Sequence, residues 1–81
     1  MKKGHISLIK ELDKAKQKGL IVEFIFSNDD HQAPLIEIGF NKDTKIEKLI
    51  DIKNYLIKNY DIFSHNILIN GDENKKIKIF V

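Results

Sequence analysis

Cysteine is absent from this chain. That excludes a disulfide framework, a thiolate metal site and a cysteine nucleophile. Small secreted domains commonly rely on disulfides, so the same absence points to a cytoplasmic protein. Arginine is absent too, and all 14 basic residues are lysine. Arginine supplies the planar fork that reads guanine edges and clamps phosphate, so its absence argues against direct sequence readout of DNA. Lysine still attracts phosphate without sequence preference. Tryptophan is missing, proline occurs once, and the four glycines are isolated, so no glycine-rich phosphate loop is present. No apolar run approaches the roughly 20 residues that cross a bilayer. The opening M-K-K-G-H-I-S-L-I-K-E-L begins like a signal peptide, but Lys10 and Glu11 interrupt its apolar run early.

What is present fits one small globular domain over residues 1–81. The apolar fraction is 42%, and the net charge is only +2, a globular rather than disordered balance. A chain of this size buries only about 60–65% of the surface its unfolded form exposes, so stability is expected to be modest. The lysine, isoleucine and asparagine bias is what codon usage in an AT-rich genome produces, as in a bacterium, a phage or another mobile element.

The strongest pattern lies between Asp43 and Tyr60. Ile46, Leu49, Ile50, Leu56, Ile57 and Tyr60 recur at the spacing of one helical face. Thr44 followed by Glu47 reads as a capping box. Lys53 falls within the apolar arc and is expected to snorkel, whereas Tyr55 points outward. A first helix is expected over 5–18, centred on Leu8, Leu12 and Ala15 and stopped by Gly19. Its Lys10, Lys14 and Lys18 share the outer face. They read as a solvated stripe, with weak anion binding as the functional alternative.

Four strands complete the set. L-I-V-E-F-I-F over 20–26 is rich in β-branched and aromatic residues. Leu20, Val22, Phe24 and Phe26 are assigned to the helix side, and Ile21, Glu23 and Ile25 to the other. L-I-E-I-G-F over 35–40 places Ile36, Ile38 and Phe40 in the core. Segments 66–70 and 75–81, joined through an Asn-Gly turn signal, put Ile67, Ile69, Ile77, Ile79 and Val81 on one face. The order helix–strand–strand–helix–strand–strand gives an α+β class. It fits a two-layer sandwich, a four-stranded mainly antiparallel sheet with both helices on one face. It is also the order obtained when the first strand of a ferredoxin-like βαββαβ fold moves to the end of the chain.

Catalytic chemistry finds no convincing constellation. Asp61, Ser64 and His65 are close in sequence, but adjacent residues rarely align as a nucleophile, base and orienter. His5, His31 and His65 lack zinc spacing. Asn28, Asp29, Asp30 and His31 read as turn chemistry, because the alternating ligands and distal glutamate of a calcium loop are missing. Glu47 and Asp51 lie on a solvent face. The chain is therefore expected to be no enzyme and to need no cofactor or metal.

With both helices on one side, the other sheet face is left open. It is expected to present Ile21, Ile25, Leu35, Leu68 and Phe80 among Glu23, Glu37, Lys76 and Lys78. An exposed apolar patch on a small protein often marks an association surface, and Tyr55 is a further candidate anchor. The expected function is a protein-interaction module of inhibitor, antitoxin, immunity-protein or adaptor type. Its partner would be a second copy or a different protein, with no membrane involved. The alternative is nucleic-acid binding through the lysines and Phe80, since aromatic side chains on a sheet can stack bases.

Overall fold

Four isoleucines form the centre of the protein. A computed structural model describes residues 2–28, 34–70 and 74–81. Its elements are α1 (His5–Gln17), β1 (Glu23–Ser27), β2 (Leu35–Phe40), α2 (Ile46–Asn59), β3 (Ser64–Asn70) and β4 (Asn74–Phe80). The strands form one sheet in the order β1-β2-β4-β3, every neighbouring pair antiparallel. In the two middle strands Ile36 lies opposite Ile79 and Ile38 opposite Ile77, and all four are buried. Leu8 and Leu12 from α1 and Leu49 and Leu56 from α2 close over that face in one core cluster. Both helices therefore cover the same side, as expected. The connection β2–α2–β3 joins two parallel strands with β4 between them, the split unit of the ferredoxin-like arrangement.

Helix α1 ends as its Gly19 suggests. Gly19 has φ +76, its N–H donates to the Lys16 carbonyl, and the Leu20 N–H reaches back to the Ala15 carbonyl at 2.9 Å. These two bonds define a Schellman turn. Between this turn and the strand the Val22 N–H bonds the Gly39 carbonyl opposite Glu23, which breaks the alternation and corrects one expectation. Ile21 is not on the open sheet face: it drops into the core, whereas Leu20 is 65% exposed and Val22 is also exposed. The strand starts only at Glu23. Beyond it the expected sides hold, with Phe24 packed against the core and Ile25 on the open side.

Helix α2 is shorter than the pattern from Asp43 to Tyr60, and its capping box does not form. The N-cap is Lys45, with no side-chain capping hydrogen bond. Asn41 takes control of this turn: its Oδ1 accepts from the Asp43 N–H at 3.0 Å and its carbonyl from the Thr44 N–H at 2.9 Å. The Lys75 ammonium then donates to the Lys42 and Thr44 carbonyls. A β4 side chain thus fixes the approach to the helix. The buried arc is centred on Leu49 and Leu56, with Ile52 packed beside them. Ile46 and Ile50 lie outside it, exposed. Lys53 is half-buried at its edge, as a snorkelling lysine would be.

The start of the chain is tied to the end of α2. The Lys3 N–H donates to the Asn59 carbonyl and the Asp61 N–H to the Lys3 carbonyl, a parallel bridge beside buried Tyr60. Strand β3 begins two residues earlier than expected, with Ser64 inside it. The Asn-Gly turn signal and the acidic loop with Asp29, Asp30 and His31 lie outside the described residues.

Three stability measurements check these assignments. Leu49→Ala should cost about 2–5 kcal/mol in denaturant unfolding, whereas Ile46→Ala should stay within about 0.5 kcal/mol. Equal losses would place the buried arc of α2 elsewhere. No atom beyond the neighbouring residues lies within 4 Å of a Cβ built at Gly19. Gly19→Ala should therefore cost only the left-handed backbone penalty, about 1–2 kcal/mol.

Candidate interaction surface

Strand register fixes the open face as three rows. Glu23, Gly39, Lys76 and Leu68 form the first; Ile25, Glu37, Lys78 and Asn66 the second; Ser27, Leu35, Phe80 and Ser64 the third. Each row crosses the strands in the order β1, β2, β4, β3. Seven of the expected surface residues share this face with Glu23: Ile25, Leu35, Glu37, Leu68, Lys76, Lys78 and Phe80. Ile21 does not, because it precedes the strand: the Val22 N–H already bonds the Gly39 carbonyl that stands opposite Glu23, which breaks the alternation there.

The apolar part is less continuous than the residue list suggests. Ile25 is 50% exposed and Leu68 39% exposed, but they stand on the two outer strands with the charged middle columns between them. Leu35 and Phe80 are paired neighbours and half-buried. Lys78 organises the centre. Its ammonium lies 4.0 Å from Glu37 Oε1 and 5.9 Å from the Phe80 ring centroid. The first contact is a loose, partly exposed ion pair, worth at most about 1 kcal/mol. The second is within cation–π reach. Gly39 contributes by having no side chain: a Cβ there would meet Glu23 Cγ at 3.1 Å. The Glu23 stem thus lies flat across the sheet.

Tyr55 belongs to a different surface. The two helices stand apart over the sheet, leaving an apolar groove of about 190 Å³ between Leu12 and Ala15 on one side and Ile52 and Leu56 on the other. Across its rim the Tyr55 hydroxyl donates to Glu11 Oε1 at 2.7 Å, the one side-chain bond joining α1 to α2 among the described residues. That hydrogen bond and the carboxylate charge both raise the Tyr55 pKa above its ordinary 10.0, because ionisation would place a phenolate against a carboxylate. Helical spacing points Tyr55 outward but carries no signal that pairs it with a residue 44 positions away.

Lys10 and Lys14 of the expected stripe border a shallow depression beside Tyr55, joined there by Lys3 and Ser7. Lys18 is not part of it; it is the C-cap of α1. Asp61, Ser64 and His65 do not form a hydrogen-bonded triad: Ser64 lies on the open face beside Phe80, and His65 points to the other side of the strand. No group of three metal-ligating side chains occurs among the described residues, and no described helix is long and apolar enough to cross a membrane.

Compared with protein-family models, with curated proteins and with solved structures, the chain matches none.

The Tyr55–Glu11 bond carries a pH signature. With the folded pKa raised, its stabilisation is fully present below about pH 10 and is lost as pH rises through the folded value. Glu11→Gln should lower the Tyr55 titration midpoint toward 10, read by NMR of the tyrosine ring carbons. An unchanged midpoint would contradict the contact.

Proposed function

We propose that this chain is a non-enzymatic protein-interaction module that docks a partner protein on its open sheet face, in the manner of a small inhibitor, antitoxin, immunity protein or adaptor. One observation carries the reading. A sheet with both helices on one side leaves Ile25, Leu35, Leu68 and Phe80 without a covering layer, set around a central Glu37–Lys78 pair. Apolar side chains at the outer strands and a fixed charge pair in the middle combine burial with orientation, as protein interfaces do. A cytoplasmic setting fits the cysteine-free composition.

Nucleic-acid binding is the second reading. Its support lies mainly away from the sheet, in the depression bordered by Lys3, Lys10 and Lys14. On the sheet itself the Lys78 ammonium sits over the Phe80 ring and beside Glu37. A stacking base would have to displace it.

The test compares the wild-type chain with Ile25→Lys and Phe80→Lys in affinity capture. Both variants should lose the captured protein at least tenfold while keeping wild-type circular dichroism and unfolding midpoint. Capture unaffected by either substitution would refute docking on this face. Loss of folding in both would place these residues in the core instead. Binding to oligonucleotides that falls steeply with salt would favour the second reading.

A further inference from the structure

We infer that two copies of this chain pair through the free edge of β3, extending the sheet to eight strands across a twofold axis at Ile67. The ladder geometry identifies the unpaired groups. The Val81 N–H donates to the Pro34 carbonyl, one step beyond the Leu35–Phe80 pair. Hydrogen-bonded pairs alternate along an antiparallel ladder. Ile36–Ile79, Ile38–Ile77 and Phe40–Lys75 are therefore the bonded pairs between β2 and β4. Odd-numbered residues of β4 turn their backbone polar groups toward β2, and even-numbered ones toward β3. The carbonyl of Phe80 obeys this, accepting from the Phe63 N–H. On β3 the inward-turned residues are then Ser64, Asn66 and Leu68. His65, Ile67 and Ile69 turn N–H and C=O outward, and no described residue pairs with them.

This edge lacks the usual guards. Natural edge strands are kept short, charged, bulged or interrupted by proline. Strand β3 runs S-H-N-I-L-I-N, with no lysine, carboxylate or proline, and keeps one register with β4 from Ser64 to Asn70, the off-register bond from the Phe63 N–H lying just before it. The other edge is different. β1 is shorter and carries Glu23. By the same alternation only Phe24 and Phe26 turn their backbone outward, and the Phe26 ring is stacked on His5 at 5.6 Å.

A second copy fits the β3 edge in charge and in register. With the axis at Ile67, that residue faces its own copy and His65 faces Ile69. These are the outward-turned positions, so each residue both donates and accepts, giving about six backbone bonds. On the open side Asn66 meets Leu68. No charge meets its like anywhere along the strand. The helix layer agrees. The α1-facing side of α2 is set by Lys48, Ile52 and Tyr55, which line the inter-helix groove. At 100° per residue, Ile46, Ile50 and Ile57 fall on the opposite margin, above β3. Ile46, Ile50 and Ile69 are all exposed in a single copy. One helix covers about two strands of a sheet, so pairing β3 with β3 brings the two α2 margins together. Lys53 is the one charged side chain on that margin, and it is long enough to reach water.

The edge and the open face are separate surfaces, and one set of measurements distinguishes them. Light scattering after size exclusion should give twice the 9.4 kDa of one chain. Ile69→Pro removes only an outward N–H, which an edge strand tolerates, and should restore the single-chain mass with the circular dichroism unchanged. Ile50→Lys, an exposed helix substitution, should weaken dimerisation at least tenfold by a route that leaves the strand intact. Phe80→Lys should leave the dimer mass unchanged. A wild-type chain that stays monomeric at high concentration would overturn the inference. So would a dimer that survives both edge variants or dissociates with Phe80→Lys.

Discussion

The isoleucine double row of β2 and β4 is the constraint on which the rest of the structure depends. Ile36, Ile38, Ile77 and Ile79 alternate with Glu37, Gly39, Lys76 and Lys78. A slip of one residue in either strand would turn carboxylates or ammonium groups into the core, at a cost well above that of any surface contact. The register is therefore fixed by which residues cannot be buried. The same alternation decides that the helices gather on one side, because only one face offers an apolar floor. The open face follows from this sidedness.

Around that core the chain is held by a few specific ties. Lys75 fastens the turn before α2, the Schellman turn ends α1, and Lys3 lies beside the exit of α2. The helices themselves lean on the sheet more than on each other, with the Tyr55–Glu11 bond across their groove. The polar side chains of this molecule mainly fix where segments start and stop, while its apolar side chains set the layers. The surfaces left over are a mixed sheet face and an uncharged strand edge. The proposed function rests on the first and the proposed pairing of two copies on the second.

Much of this was readable from local pattern. The alternation of L-I-E-I-G-F and K-I-K-I-F assigns both faces of the middle strands, because Glu37, Gly39, Lys76 and Lys78 mark the side that cannot be the core. The α1 stop at Gly19 was equally plain. Three features were not. Ile21 was misplaced because a Schellman turn consumes residues before the strand begins, and alternation cannot count them. Thr44 and Glu47 have the spacing of a capping box, but the Asn41 side chain and the distant Lys75 set the turn first. On α2, Ile46 and Leu49 look equivalent in sequence. Only the position of α2 over β4 and β3 separates the buried residue from the exposed one. Among the candidate site residues, those on regular strands lie on the sheet face that alternation assigns them, whereas the bond partner of Tyr55 depends on packing between helices.

The central claim is that one face of the sheet is sealed and the other is bare. Solvent paramagnetic relaxation of the side-chain methyl groups, measured by NMR with a soluble spin label, tests it most directly. The account predicts strong relaxation of Ile25 and Leu68 and almost none of Ile36, Ile38, Ile77 and Ile79, whether or not β3 edges are paired. Ile25 and Leu68 shielded to the same degree as the four core isoleucines would mean that a further layer covers the sheet, and would contradict the account.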